Sequence, residues 1–298
     1  MSIKILSFGE MLLEQAGGKL QSGGSPLTLA ANVCRLGGQA AMYSRIGADE
    51  AGEKLRAAAA KYGVDMSYVF SDDAHPTGAA SIDNSIVKQG VPAYTLSGEC
   101  SARHICTTVQ SIEKLSRMNF DALCFQTLSQ MFSQSHDTLL HILEKINVCE
   151  VYYDINLRGQ YYSKKVFDSL FPHATIVRCT SDEMRLVSTI LFGKMMPPRE
   201  FAEQISKQYA VPLICVRQKG QGYAVYHAGM FAIVEDDTDK SYSDSGYGDA
   251  FNAAFLSLFC KGISPFESAK AGAEIARIAA DAGQRIPEYS KNALDRIG

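Results

Sequence analysis

Short apolar runs alternate with amphipathic stretches along most of this 298-residue chain. Uninterrupted apolar runs of this length are typical of parallel strands covered on both faces, and they occur at residues 3–8, 122–125, 151–154, 175–178 and 213–216. Helical periodicity predicts helices between these runs, at residues 49–62, 136–145, 181–191 and 201–209. The alternation predicts a doubly wound α/β sheet whose ligands bind at the carboxyl ends of the strands.

The segment 77–96 departs from this alternation. The turn-forming residues Asp83, Asn84 and Ser85 separate two β-prone runs and predict a hairpin. Residues 77–104, together with about 11–20, are expected to form a small β-layer over the strand ends, which would act as a lid. An ordinary surface hairpin is the alternative. Without an internal repeat or a linker, one domain is predicted over 1–298.

Composition and charge exclude several classes of protein. Hydrophobic residues make up 46% of the chain and the net charge is −3 without a basic stripe, which argues against a nucleic-acid partner. No apolar stretch approaches the ~18 residues of a membrane span. The N-terminus enters a strand-like run without a signal-peptide pattern, and the eight cysteines are scattered singly. These features predict a cytoplasmic protein with reduced thiols and no membrane association.

The most informative motif lies at residues 244–251. Gly246 and Gly248 permit a tight turn whose N–H groups converge, and the apolar run that follows is predicted to be a helix. The positive end of that helix would add to an anion site beside Asp249. A carboxylate in that position suits a general base for phosphoryl transfer. The alternative is a simple glycine turn with Asp249 as the helix N-cap.

Three further blocks precede this motif in a definite order. They are Gly23-Gly24, a helix ending in Arg35-Leu36-Gly37, and Gly47-x-Asp49-x-x-Gly52. Together with residues 243–251, they resemble the signatures of the ribokinase-like (PfkB) family of sugar kinases along essentially the whole chain. The middle segments 125–130 and 154–158 are similar to those of fructokinase-type members. The resemblance implies a three-layer α/β/α sandwich with a mostly parallel central sheet and a small β-lid.

The resemblance implies roles for the residues of the late motif. Asp249 would take the proton of the acceptor hydroxyl as that hydroxyl attacks the γ-phosphoryl group of ATP. The backbone N–H groups of Gly246, Tyr247 and Gly248 would hold the charge of the transferring group. Tyr247 stands where the family usually has Ala, and a main-chain anion hole tolerates this change.

The family pattern also implies Mg²⁺ near the ATP phosphates. Glu183, with Asn156 and less directly Asp154, would organise the ion and its waters. The charge spread over the phosphate oxygens needs such neutralisation during transfer.

The nucleotide side departs from the family pattern at several positions. Thr180 replaces the usual Asn, and Arg217, Gly220 and Gly222 stand in a strand-then-glycine segment of altered spacing. Ser243 replaces the usual Asp ahead of the anion hole. This region often carries a monovalent-cation site in the family, so K⁺ is an additional candidate cofactor.

Substrate binding is implied for Glu14, Gly23, Gly24, Thr28 and Arg158. Glu14 replaces the family's usual Asp and resembles the 2-keto-3-deoxygluconate kinase branch, and Thr28 stands where Asn is expected. Arg158 follows a predicted strand and suits a substrate carboxylate or phosphate, or else a structural salt bridge.

These inferences predict an ATP-dependent sugar kinase whose acceptor is a primary hydroxyl of fructose or a related ketose. The alternative substrate is 2-keto-3-deoxygluconate. The alternative of a different class is a degenerate, non-catalytic homologue that binds sugar or nucleotide, suggested by the departures at Glu14, Thr28, Thr180, Ser243 and residues 216–222. Predicted partners are the sugar and ATP, with a homodimer formed through exposed lid strands.

Overall fold

A computed structural model describes residues 2–16, 19–88, 90–235, 247–290 and 293–294 of the chain. The strands within these residues are β1 Lys4–Phe8, β2 Leu12–Ala16, β3 Lys19–Gly23, β4 Gln39–Gly47, β5 Asp65–Asp72, β6 Ala79–Lys88, β7 Val91–Leu96, β8 Asn119–Gln126, β9 Asn147–Asp154, β10 Ile176–Thr180, β11 Leu213–Gln218, β12 Gly222–His227 and β13 Met230–Val234. The α-helices are α1 Ser25–Arg35, α2 Glu50–Lys61, α3 Val109–Ser116, α4 Thr127–Gln130, α5 Ser133–Lys145, α6 Lys164–Leu170, α7 Ser181–Phe192, α8 Pro198–Tyr209, α9 Tyr247–Phe259 and α10 Pro265–Asp281.

The larger sheet has the order β13-β12-β11-β10-β9-β8-β1-β4-β5. Neighbouring strands from β11 to β5 are parallel, and β12 and β13 extend one edge in antiparallel fashion. The five predicted strand runs lie in β1, β8, β9, β10 and β11, and the four predicted helices lie in α2, α5, α7 and α8. Both predictions are therefore confirmed.

Helices cover both faces of this sheet. Alternate residues of β1 explain the arrangement, because Ile5 packs into one apolar cluster whereas Leu6 and Phe8 pack into the other. The Ile5 cluster contains side chains of α1, α2, α9 and α10, and the second contains side chains of α3, α5, α6, α7 and α8. The predicted three-layer α/β/α arrangement is confirmed. In the part of the chain that the structure describes, no helix is long and apolar enough to cross a membrane.

The smaller sheet corresponds to the predicted lid. Its order is β3-β2-β6-β7, with β2 and β6 parallel and the other two pairs antiparallel. The predicted turn at Asp83–Ser85 is wrong, because these residues lie inside β6 and the chain reverses between Lys88 and Val91. Asp83 accepts a hydrogen bond from the Ser85 amide at 2.9 Å, and the pairing with β7 shifts register beyond Asp83. The turn-forming residues therefore mark an irregularity within strand β6 and not the hairpin turn.

Candidate active site

A cavity of about 420 Å³ lies between the lid and the carboxyl ends of β9, β10 and β11. Its walls include Asp154 at the end of β9, residues 156–158 that follow, the beginning of α7, and Arg217 and Lys219 at the end of β11. Lid residues such as Gln21, Ile82 and Tyr94 close the opposite side. The cavity therefore occupies the place that the parallel sheet predicts for a ligand.

Asp249 lies on this cavity in the first turn of α9, with only 4% of its surface exposed. Since α9 begins at Tyr247, Asp249 is the third residue of the helix and not its N-cap. Burial raises the pKa of Asp249 to about 7, and the charge of Asp154 adds to the increase. A hydrogen bond from Ser25 and the charges of Arg285 and Arg158 act in the opposite direction. The carboxylate is thus suited to accept a proton near neutral pH.

A second polar side chain, the Arg178 guanidinium, reaches the same end of the cavity. A Cβ atom placed on Gly248 would lie 3.1 Å from Arg178 Nη2, so glycine permits this close approach. Arg178 is buried, its Nη1 lies 3.4 Å from Asp154 Oδ1, and its Nε and Nη2 have no hydrogen-bond partner within the described residues. A buried cation with unused donors beside a helix N-terminus suits a phosphoryl group.

The predicted anion hole is described only in part. Tyr247 and Gly248 begin α9, and Gly248 lines the cavity. The first N–H groups of an α-helix have no acceptor within the helix, which favours an anion at this end. Gly246 and Ser243 lie outside the described residues.

Glu183 lines the cavity at the beginning of α7. Its Oε2 accepts from the Thr180 amide at 2.7 Å, and the Thr180 hydroxyl accepts from the Glu183 amide at 3.3 Å, which together form a capping box. Its Oε1 accepts from the Leu157 amide at 2.7 Å. Glu183 therefore also joins the β9 and β10 segments, a structural role in addition to any role with a metal.

The donor set at this end of the cavity fits a Mg²⁺ ion. Asp154, Asn156, Asp182 and Glu183 all line the cavity, and Mg²⁺ prefers oxygen ligands of this kind while keeping several waters. Because both oxygens of Glu183 already accept backbone hydrogen bonds, contact through a bound water suits this residue best.

Glu14, predicted to bind the sugar, is buried and forms an ion pair with Arg285 across 2.6 Å. The glycine pair explains how the acid fits, because a Cβ atom on Gly23 would lie 2.3 Å from Glu14 Oε2. Gly24 has a φ of 92° and would place a Cβ atom 2.4 Å from the Glu10 carbonyl oxygen. Arg285, and not Glu14 itself, is among the residues that line the cavity.

Two other predicted substrate residues differ in position. Arg158 lines the cavity, as expected. Thr28 does not: it is buried in α1, where its hydroxyl donates to the Gly24 carbonyl at 3.2 Å. Of the residues predicted to bind the nucleotide, Arg217 and Thr180 line the cavity, whereas Gly220 and Gly222 lie at the β11–β12 turn with φ values of 72° and 95°. Those glycines therefore shape the hairpin and do not reach the cavity wall.

Sequence reasoning missed three residues of the site: Ser25, Arg178 and Arg285. Ser25 follows directly after the Gly23-Gly24 pair, so its place at the start of α1 was a usable signal. Arg178 is an arginine inside an apolar strand run, which also indicates function. Arg285 follows α10 in an irregular segment, and no local pattern connects it with Glu14, 271 residues earlier.

Comparisons with known proteins agree with this geometry. A family model described as "pfkB family carbohydrate kinase" matches residues 3–288. The chain is similar to a fructokinase of Escherichia coli, with 25% identity over 278 residues that cover 90% of this chain and 88% of that protein.

Solved structures support the same fold. A double mutant of fructokinase from Vibrio cholerae O395, bound to fructose, ADP and potassium, has a TM-score of 0.82 with 16% identity and covers 99% of this chain and 98% of its own. An uncharacterised sugar kinase from Pyrococcus horikoshii in complex with ATP has a TM-score of 0.78 with 20% identity and covers 99% of this chain and all of its own. The predicted ribokinase-like fold and phosphotransferase class are confirmed. The family match spans nearly the whole chain, which therefore belongs to the pfkB family of carbohydrate kinases.

Proposed function

We propose that this sugar kinase transfers the γ-phosphoryl group of ATP to a primary hydroxyl of a ketose, with fructose as the first candidate. The observation that carries the proposal is the buried Asp249 carboxylate at the N-terminus of α9, beside a cavity that Arg178 also lines. These two groups supply a base for the acceptor and a cation for the transferring group.

The proposed step begins with the acceptor hydroxyl beside Asp249. Asp249 takes the hydroxyl proton while the oxygen forms a bond to the γ-phosphorus, and the bond from that phosphorus to the bridging oxygen of ADP breaks. A base with a pKa of about 7 can accept the proton at neutral pH and release it afterwards.

Charge on the transferring group is stabilised by the protein at the same place. Gly248 and Arg178 both line the cavity beside the N-terminus of α9, so the backbone N–H groups of the first helical turn, the guanidinium and the helix dipole are available to this charge. Mg²⁺, when bound, would further neutralise the phosphate oxygens. Asp154, Asn156 and Glu183 would hold that ion, with Glu183 acting through water.

Fructose is favoured because the Escherichia coli protein to which this chain is similar is a fructokinase. One observation favours 2-keto-3-deoxygluconate as the second candidate. Arg158 and Arg285 both line the cavity, and a guanidinium is the usual partner of a sugar carboxylate. Arg285 already has Glu14 as its partner, which leaves Arg158 as the group for a carboxylate.

Turnover assays with each sugar, in the wild type and in Arg158→Gln, distinguish the two substrates. We expect ADP release with Mg-ATP and fructose, little change in kcat/KM for fructose in Arg158→Gln, and weak turnover of 2-keto-3-deoxygluconate. Higher kcat/KM for the acid sugar, lost at least tenfold in Arg158→Gln, would assign the second substrate instead. Lys219→Gln, which changes a cationic residue of the cavity on the β11 side, is the matched control.

Three finer expectations stay predictions. They are a homodimer formed through the lid, a cytoplasmic location, and activation by K⁺. Sedimentation of the purified protein and turnover with KCl exchanged for tetramethylammonium chloride test the first and the third.

A further inference from the structure

A chain of buried polar side chains ends at Asp249. Asn156 Nδ2 lies 2.8 Å from Gln126 Oε1, and Gln126 Nε2 lies 2.7 Å from Ser25 Oγ. Ser25 Oγ in turn contacts Asp249 Oδ1. All four residues are buried, and they come from four separate segments of the chain.

The hydrogen-bond chemistry fixes the direction of this chain. An amide NH₂ only donates, so the Ser25 oxygen accepts from Gln126 and its single proton is directed at Asp249. A carboxylate only accepts, which is consistent with the same direction. At the other end of the chain of hydrogen bonds, Asn156 donates to Gln126. The backbone of Asn156 is unusual, since its φ of 41° lies in the left-handed region. Oδ1 of Asp249 therefore already accepts a hydrogen bond from the Ser25 hydroxyl.

We propose that Ser25 and Gln126 are positioning residues that hold Asp249 Oδ1, so that Oδ2 is the atom that takes the proton from the sugar hydroxyl. This inference rests on the proposed function, since it assigns how its base is oriented. Gln126 acts through Ser25 and is not among the residues that line the cavity. The residue is only 3% exposed, so it acts on the site without contacting the cavity.

The hydrogen bond from Ser25 also affects the charge of Asp249. Burial and Asp154 favour the protonated acid, whereas the Ser25 hydrogen bond, Arg285 and Arg158 favour the carboxylate. Loss of the Ser25 hydroxyl removes one of the groups that oppose burial. The pKa of Asp249 then rises, and the base is protonated over a wider range of pH.

The test uses variants that keep volume and change hydrogen bonding. Ser25→Ala removes the hydroxyl, Gln126→Met keeps the size and removes the amide, and Gln126→Glu replaces the donor to Ser25 with an acceptor. Gln130→Met is the matched control, because Gln130 is a buried glutamine close by whose side-chain atoms have no hydrogen-bond partner within the described residues.

We expect kcat with a sugar that is turned over to fall about tenfold to hundredfold in Ser25→Ala and Gln126→Glu, and less in Gln126→Met. The expected fall in kcat corresponds to the free energy that a hydrogen bond to a charged group typically contributes. The KM for ATP stays within threefold, and the acidic limb of the kcat/KM profile moves to higher pH. A fall in kcat no larger than in Gln130→Met, or an unshifted acidic limb, overturns the inference.

A second measurement needs no substrate and separates this inference from the proposed function. The melting temperature of each protein is compared with that of its Asp249→Asn counterpart between pH 5 and pH 9. The midpoint of this difference reports the pKa of Asp249 and should move upward in Ser25→Ala. An unchanged midpoint contradicts the positioning role whether or not a sugar is turned over. Full turnover by Asp249→Asn contradicts the base assignment itself.

Discussion

At the scale of single residues, the site depends on carboxyl groups that the fold removes from water. Burial raises the pKa of both Asp249 and Glu10 to about 7, with the Ser129 hydroxyl and the Arg158 charge opposing the change at Glu10. Such groups reduce the stability of the protein at high pH and are retained where they serve chemistry. Of these two carboxyl groups, Asp249 lines the cavity, so a role in the reaction explains why its raised pKa is retained.

Asp249→Asn is expected to stabilise the protein at alkaline pH. The folded-state pKa of Asp249 lies above the unfolded value, so its contribution to stability is complete below pH 4 and is lost as pH rises through about 7. Asn keeps an oxygen that can accept from Ser25. We expect the variant to melt several degrees above the wild type at pH 8 and close to it at pH 5. Equal differences at both values would contradict the raised pKa.

Arg178→Met is expected to be strongly destabilising. Arg178 is the buried cation next to Asp154, and its removal leaves that carboxylate without a charge partner, at a cost of about 3–5 kcal/mol. Asn252 still donates to Asp154 at 2.8 Å. Chemical denaturation measures the loss, and the double variant Arg178→Met/Asp154→Asn should recover much of it while kcat stays low. Recovery of kcat as well would exclude a role for Arg178 in phosphoryl transfer.

At the scale of elements, the block Gly47-x-Asp49-x-x-Gly52 attaches the lid to the sheet. Asp49 caps α2 through the Gly52 amide at 2.8 Å and accepts from both the amide and the hydroxyl of Thr77, just before β6. The Thr77 hydroxyl accepts from the Gly47 amide at 2.9 Å. A Cβ atom on Gly47 would lie 2.4 Å from the Thr77 nitrogen, which explains the glycine.

Thr77→Val should loosen this attachment without changing the cavity wall. The substitution keeps the shape and leaves the Gly47 amide without its acceptor, which costs about 1–3 kcal/mol. We expect a lower melting temperature and a severalfold higher KM for the sugar, since lid residues form one side of the cavity. Asp83→Ala, which removes an acceptor within exposed β6, is the control and should leave KM unchanged. Equal effects of the two substitutions would contradict a specific role for the block.

The sequence predicted strands and helices where the hydrophobic pattern alone determines the element. The strands β1, β8, β9, β10 and β11 and the helices α2, α5, α7 and α8 follow from hydrophobic period, and they were predicted with small errors at their ends. The parallel strands β4 and β5 were not predicted. The edge strand β13 was missed because it is largely exposed and has no uninterrupted buried run. The strand β12 was also missed, although its first four residues are buried. The lid turn was misplaced because Asp83 and Ser85 form local hydrogen bonds inside a strand, as turn residues do.

At the scale of the whole molecule, the site depends on contacts between distant parts of the chain. Arg285 from the segment after α10 pairs with Glu14 on lid strand β2, and its carbonyl accepts from Asn32 of α1 at 2.9 Å. Tyr289 donates to the same Asn32 at 2.5 Å. The glycine motif pointed to Asp249 and the family resemblance supplied Glu14, whereas Arg285 required three-dimensional information because no local pattern specifies its partner.

Arg285→Met should separate stability from sugar binding. Removal of the cation leaves the buried Glu14 without its ion-pair partner, so we expect a loss of about 3 kcal/mol together with a raised KM for the sugar. Adding Glu14→Gln should restore most of the stability without restoring KM. Denaturation curves and sugar-dependent kinetics on the three proteins measure both effects. A double variant with wild-type KM would remove this pair from substrate recognition.

The most direct test of the central claim compares Asp249→Asn with the wild type in the presence of Mg-ATP and fructose. The claim that Asp249 is the base of a sugar kinase predicts that ADP release falls at least a thousandfold in the variant. It also predicts that sugar and ATP still raise the melting temperature of both proteins. Turnover in the variant within tenfold of the wild type would contradict the claim, because proton removal would then not depend on this carboxylate.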